Sequence, residues 1–201
     1  MYIFYHTEDK YIKYLALYIS LIDIYIIIIN IDIIIVINKF KNEKIEFNGC
    51  PGCAYAKHEF ELPCGMAYEN ENFVLSQDWE LPIPGFFIVS PKRCIDKFEE
   101  LSTEEKNELF EIVDKTIKIL RNNNICDRFN VLFEEKEHIH FHVWIMPRYQ
   151  WMNELVEGIT PNIGQIYDYA VSTMKTEENI KKISEITNLV KTYFEKSECM
   201  G

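Results

Sequence analysis

The stretch His138-Ile139-His140-Phe141-His142-Val143-Trp144-Ile145 decides how the rest of the chain is read. In a β-strand successive side chains point to opposite faces. His138, His140 and His142 therefore share one face, with Trp144 further along it. Ile139, Phe141, Val143 and Ile145 share the other face and suit a core. Three of the five histidines of the chain sit here. Imidazoles two strand steps apart start roughly 7 Å from each other, close enough for two of them to touch one phosphate group. Histidine is a poor choice for a merely wet face, since an unperturbed imidazole changes charge near neutral pH.

Outward from this strand the elements follow in order. Phe129 to Phe133 reads as a strand, and the acidic Glu134 to Glu137 turns it into the histidine strand. Before it lies the clearest helix. Ser102-Thr103-Glu104-Glu105 is a capping box, Leu109, Phe110, Val113, Ile117 and Leu120 form an apolar stripe, and Asn122 to Asn124 end it. Phe86 to Val89 is a short buried strand, entered through an extended loop forced by Pro82, Pro84 and Gly85 and left through Pro91-Lys92-Arg93-Cys94. Met66 to Tyr68 and Asn72 to Gln77 pair as a hairpin. Cys50-Pro51-Gly52-Cys53 is a tight knuckle on which two thiols converge. Downstream of Pro147-Arg148, helices are expected around Ile166 to Thr173 and Glu177 to Glu195, the second with Ile180, Ile183, Ile186, Val190 and Phe194 as its apolar stripe. This order predicts an α+β fold with an antiparallel sheet. The chain divides into an atypical segment 1–45, a catalytic-type domain 46–150 and a helical extension 151–201.

A length of 201 residues suffices for one well-cored domain with an appendage. The net charge of -11 argues against a sequence-independent nucleic-acid binder, which needs a basic surface. Six cysteines, two of them in the CxxC knuckle, form no regular disulfide framework; a reduced, cytoplasmic chain with a metal site is expected.

Tyr14 to Ile37 is dense in Ile, Leu and Tyr, broken by Asp23, Asn30 and Asp32. Three readings stay open. It is long enough to span a bilayer as a helix, although each aspartate near the middle costs roughly 2.5–3.5 kcal/mol. It reads equally as an added strand or helix pair, or as upstream sequence translated from a start codon set too early. A membrane-tethered protein follows only from the first reading.

The run H-φ-H-φ-H-φ-φ (φ apolar) resembles the signature of the histidine-triad (HIT) superfamily of nucleotide hydrolases and transferases. Glu71 to Asp78 resembles the first hairpin of that family, Pro84 to Cys94 its P-G-H-x-L-V-x-P-K-x-H block, and Leu101 to Glu105 the start of its helix. The helices after Trp151 resemble a longer bacterial subgroup. The resemblance implies a HIT-like antiparallel sheet with a long helix packed on it, and a homodimer with a sheet continuous across the two-fold. It implies His140 as the nucleophile that forms a nucleotidyl-histidine intermediate, with His142 contacting phosphoryl oxygens or passing a proton to the leaving group. A third histidine, where the transferase branch has Gln, favours water as final acceptor. It also implies a structural Zn²⁺ held by Cys50, Cys53, Cys94 and His138, with His58 and Cys64 as fallback ligands; Cys94 stands where the family has histidine, and a Cys₃His tetrahedron is chemically complete. Asp78 would accept the ribose hydroxyls, and Phe73 and Leu75 would line the slot for the base. Lys92 and Arg93 read as phosphate contacts or as a solvated pair.

The expected reaction is hydrolysis of a nucleoside phosphate bond, in a dinucleoside polyphosphate such as diadenosine tetraphosphate or in a nucleoside phosphoramidate. Two departures from the family pattern stand out: Phe86 replaces the usual histidine after Pro-Gly, and Glu134, Glu135 and Glu137 precede the triad, where carboxylates repel a polyphosphate tail. They keep two other classes in play, a non-catalytic nucleotide-binding or zinc-stabilised interaction protein and a nucleotidyltransferase.

Overall fold

The histidine strand forms as its alternation demands. Phe141, Val143 and Ile145 are fully buried in the core, while His140, His142 and Trp144 line a cleft on the other side. The structure, a computed structural model, describes residues 26–27, 33–38, 43–62, 64–78, 80–136 and 139–198. His138 lies outside the described residues.

Strands β1 (Ile26–Ile27), β2 (Ile33–Asn38) and β3 (Glu43–Asn48) make a small antiparallel sheet in that order. The described parts of the Ile-rich segment are paired strand, and β3 runs across the boundary expected at residue 45. Among the described residues no helix is long and apolar enough to cross a membrane.

The main sheet holds five antiparallel strands in the order β4-β5-β6-β8-β7: β4 (Met66–Glu69), β5 (Phe73–Gln77), β6 (Phe87–Pro91), β7 (Phe129–Lys136) and β8 (Ile139–Pro147). Helix α1 (Pro51–Ala56) precedes it, and α2 (Thr103–Asn122) crosses one face between β6 and β7. The capping box at the start of α2 is as expected: Ser102 Oγ accepts from Glu105 N at 3.1 Å, and Glu105 Oε2 accepts from Ser102 N at 2.7 Å. Its buried stripe is Leu109, Ile112, Val113, Thr116, Ile119 and Leu120, so Phe110, expected inside, is instead 50 % exposed.

Helices α3 (Gln150–Leu155), α4 (Ile163–Thr173) and α5 (Glu177–Glu198) follow the sheet. They are not an appendage. Ile186, Val190 and Phe194 of α5 join the core formed by α2 and the sheet, and Phe194 stacks on Tyr68 of β4 at 4.3 Å. Met152, Ile166 and Ala170 of α3 and α4 bury a second core with Leu81, Ile83, Phe86 and Met146. That second core explains Phe86: it is fully buried and packs edge-on against Trp144. Gly85 beside it has φ +74, the left-handed region that glycine adopts without strain.

Candidate active site and metal centre

Four donors converge where α1, the loop after β6 and β8 meet. Cys50 caps α1, Pro51 opens its first turn, and Cys53 follows one turn on. Their sulfurs lie 3.3 and 3.5 Å from His140 Nδ1. The ligating atoms of Cys50, Cys53, Cys94 and His140 all fall within 4.8 Å of one another. A tetrahedral ion with Zn–S near 2.3 Å and Zn–N near 2.0–2.1 Å sets ligand edges of roughly 3.6–3.8 Å, so the donors are already close to that spacing. Gly52 is what lets them approach: a Cβ there would fall 2.5 Å from His140 Cγ.

The hydrogen bonds of the ring fit a ligand. His140 Nε2 lies 2.6 Å from the Pro91 carbonyl, which can only accept, so Nε2 carries the hydrogen and the Nδ1 lone pair faces the thiols. Metal-bound histidines are held in just this way by a backbone carbonyl. The thiols are also strained for want of positive charge. Burial raises Cys53, and its neighbours Cys94 and Cys50 push it further up. Burial also acts to raise Cys50, but its contacts with His140 and the Cys53 backbone outweigh it and bring Cys50 down to about 6. Three sulfurs and one imidazole nitrogen at this spacing are a donor set that fits a metal.

This placement corrects the expected assignment of the imidazoles. His140, expected to face the cleft as a free nucleophile, is 4 % exposed and has both nitrogens engaged. It occupies the fourth position expected of His138. The fallback ligands do not join: His58 pairs with Glu69 at 3.1 Å, and Cys64 is outside the cluster.

The pattern is displaced by two residues, which keeps every side chain on its face. Both His140 and His142 border the cleft, and of the two only His142 lies outside the cysteine cluster. Its Nδ1 donates to the His140 carbonyl at 2.9 Å, which directs Nε2 toward the cleft and toward Glu134 Oε2 at 2.8 Å. Glu134 is the direct partner of His142 across the β7–β8 ladder, so its carboxylate arrives on the same face. Trp144 takes the next position, its ring 6.0 Å from that of His142 and 5.8 Å from that of Tyr167 on α4.

The cleft, about 260 Å³, is walled by Tyr55, Leu62, Ile88 and Trp144, with Ser76, Ser90 and Tyr167 among its polar groups. Its ionisable lining is Asp78, Glu80, Glu134, His140 and His142, with Tyr55 and Tyr167; among the described residues no lysine or arginine lines it. Lys92 instead pairs with Glu69, and Arg93 with Glu105. Phe73 and Leu75, expected beside a base, are fully buried in the core on the far face of β5. All of β5 is buried, so no polar alternation marks which face meets the cleft; that face is Ser76 and Asp78. Tyr167 was missed because it comes from the helical extension, and no local pattern ties it to the sheet.

Asp78 borders the cleft. Its Oδ1 accepts from Glu80 N at 2.9 Å and Leu81 N at 2.7 Å, an Asx turn that sets the loop leaving β5. Gln77 braces the same loop through the Ile83 carbonyl and the Gly85 amide. Burial, then the charge of Glu80, raise the Asp78 carboxyl to about 7, against the backbone hydrogen bonds and His142. An unfolded aspartate releases its proton near pH 4, whereas the folded one holds it to about 7. Between those values the folded state binds more protons, so raising the pH drains stability. Asp78→Asn keeps the Oδ1 acceptor and removes the ionisation. Urea unfolding from pH 4 to 8 should show the variant losing less stability than wild type, with a difference on the order of 2–4 kcal/mol across the range. Parallel curves would contradict the buried, proton-holding carboxyl.

Residues 59–151 match the family model described as HIT domain. An uncharacterized HIT-like protein from Methanocaldococcus jannaschii is 29% identical over 103 residues, covering 48% of this chain and 78% of that one. The crystal structure of a Zn-bound histidine triad family protein from Mycobacterium smegmatis superposes with a TM-score of 0.52 at 15% identity, over 74% of this chain and 96% of that one. A hypothetical histidine triad nucleotide-binding protein from Sulfolobus tokodaii gives 0.51 at 20% identity, over 72% and 93%. The two structures share the α+β fold seen here, a five-stranded antiparallel sheet with helices. Over residues 59–151 the chain is similar to a HIT domain, and its fold is that of the histidine-triad structures.

Proposed function

We propose that the protein hydrolyses a nucleoside phosphate bond with His142 as nucleophile, and that Cys50, Cys53, Cys94 and His140 hold a structural zinc. The observation that carries this reading is the Nδ1 hydrogen bond from His142 to the His140 carbonyl, which leaves Nε2 as the cleft-facing nitrogen. Nε2 attacks the α-phosphorus, the leaving group departs, and water releases the nucleotide from the histidine. With four protein donors, a bound zinc would have no position left for water and would supply only the tie between α1, the Cys94 loop and β8. Asp78 would accept ribose hydroxyls through the oxygen not used in its turn, and Trp144 and Tyr55 offer apolar walls for the base.

Three carboxyl groups and, among the described residues, no lysine or arginine favour a substrate with one phosphate and a neutral or cationic leaving group, such as a nucleoside phosphoramidate, over diadenosine tetraphosphate. The test is to quench the enzyme during turnover of an adenosine phosphoramidate and sequence the adenylylated peptide by mass spectrometry. Adenylyl on His142 is expected; its absence, or its presence on His140, would overturn the assignment. Glu134 on Nε2 gives a specific reason to keep a second reading, a nucleotide-binding protein without turnover, which tight AMP binding with no adduct would favour. Hydrolysis and nucleotidyl transfer are no longer told apart by a third histidine, since Trp144 holds that position.

A homodimer joined through β7 fits the sheet. β7 is an edge strand, and Val131 and Phe133 on it and Phe110 on α2 are exposed, whereas β4 at the other edge is packed by α5. Phe133→Asp should convert a sedimenting dimer to monomer; an unchanged sedimentation coefficient would reject this interface.

A further inference from the structure

We infer that Glu134 is the proton donor and acceptor of the reaction, in the role that a histidine at position 144 would have filled. The inference rests on the reading of His142 as nucleophile. It starts from a vacancy of chemistry: with His140 at the metal centre and His142 next, the third position on this face is Trp144, whose indole N–H donates and cannot relay a proton. A leaving group that departs from phosphorus still needs a proton, and so does the balance of the hydrolytic step.

Glu134 is the carboxyl set against the reacting nitrogen, from which it would turn to the far side of phosphorus to serve both. It faces His142 directly across the β7–β8 ladder, and its Oε2 lies 2.8 Å from Nε2, the reacting nitrogen. The Glu134 and His142 side chains are 17% and 16% exposed, within the cleft rather than in open solvent. Because Nδ1–H is committed to the His140 carbonyl, the contact between Nε2 and the carboxyl holds one shared proton. Substrate entry leaves that proton on Glu134 and the lone pair on Nε2. The Nε2–P bond forms, the bond from phosphorus to the leaving group breaks, and the leaving group takes the proton from Glu134. Water then attacks phosphorus and gives a proton to the Glu134 carboxylate; the Nε2–P bond breaks, the nucleotide leaves, and the shared proton is restored. No step requires a further reagent. The other ionisable groups lining this cleft are Tyr55, Asp78, Glu80, His140 and Tyr167, and Tyr167 is held as a phenol chiefly by burial, with the neighbouring carboxylates adding to the effect.

The test compares wild type and Glu134→Gln on adenosine 5′-monophosphate esters whose leaving groups run from p-nitrophenol to simple alcohols, following the first-turnover burst and the adenylylated enzyme. For alcohols, Glu134→Gln should lose on the order of 10²–10⁴-fold in the burst rate. For p-nitrophenol, which leaves without a proton, the burst should stay within a few-fold of wild type and the adenylylated enzyme should accumulate, because its hydrolysis has lost the base. In Glu134→Ala, added formate should restore the rate for alcohols. Equal losses across all leaving groups, or none, would overturn the role of Glu134 while leaving His142 in place. A wild-type enzyme that forms no adduct with any ester would overturn both.

Discussion

If His142 is the nucleophile proposed above, His142→Ala should abolish turnover and leave the protein folded and metal-loaded. With the nucleophile gone, kcat/KM against an adenosine phosphoramidate falls by on the order of 10⁴–10⁶-fold, the scale seen when a covalent nucleophile is removed. The structure explains why folding should survive. His142 is on the cleft face, outside the apolar core, and gives up one hydrogen bond to a carbonyl and one contact with Glu134. Such losses cost about 1–2 kcal/mol at a partly exposed site. The variant should therefore still bind AMP, still carry one metal and still unfold cooperatively, yet yield no adenylyl-histidine. Turnover within tenfold of wild type would show that Nε2 of His142 is not the attacking atom.

That prediction names a different imidazole from the one the sequence pattern suggested, and the reason is the period of a strand. Positions 138, 140, 142 and 144 all fall on one face, so three roles fit four places in two ways. Alternation shows which residues share a face and not where along it the knuckle docks. The docking is a contact across 87 to 90 residues, between α1 and β8, and it depends on Gly52 lying against the His140 ring. Local patterns served well elsewhere. The capping box placed the start of α2, the hairpin before Asp78 stands where expected, and the three cysteines come together. They failed where tertiary burial removes contrast. β5 is buried on both faces, so Phe73 and Leu75 could not be distinguished from Val74 and Ser76 as neighbours of the cleft. Phe110 fits a helical stripe but points beyond the edge of the sheet, beside Phe133.

Removing the metal should lower stability far more than it alters any one hydrogen bond, because the four donors tie three distant segments together. Without a cation nothing ties Cys50, Cys53 and Cys94 to His140, and α1 has only six residues, too few to hold its helix alone. Isolated zinc modules owe about 10–16 kcal/mol to their ion. Here the core of α2, α5 and the sheet persists without it, so a smaller loss is expected, about 3–5 kcal/mol. For a chain of this size that lowers Tm by roughly 6–20 °C, measured by calorimetry before and after chelation with metal content followed by mass spectrometry. His140→Ala should reproduce the chelated protein in both metal content and Tm. Cys94→His should retain the metal, since it exchanges one good zinc donor for another at the same corner. His138→Ala supplies the opposing outcome: if it loses the ion while His140→Ala keeps it, the strand is seated two residues away from the register described here, and His140 returns to the cleft as the nucleophile.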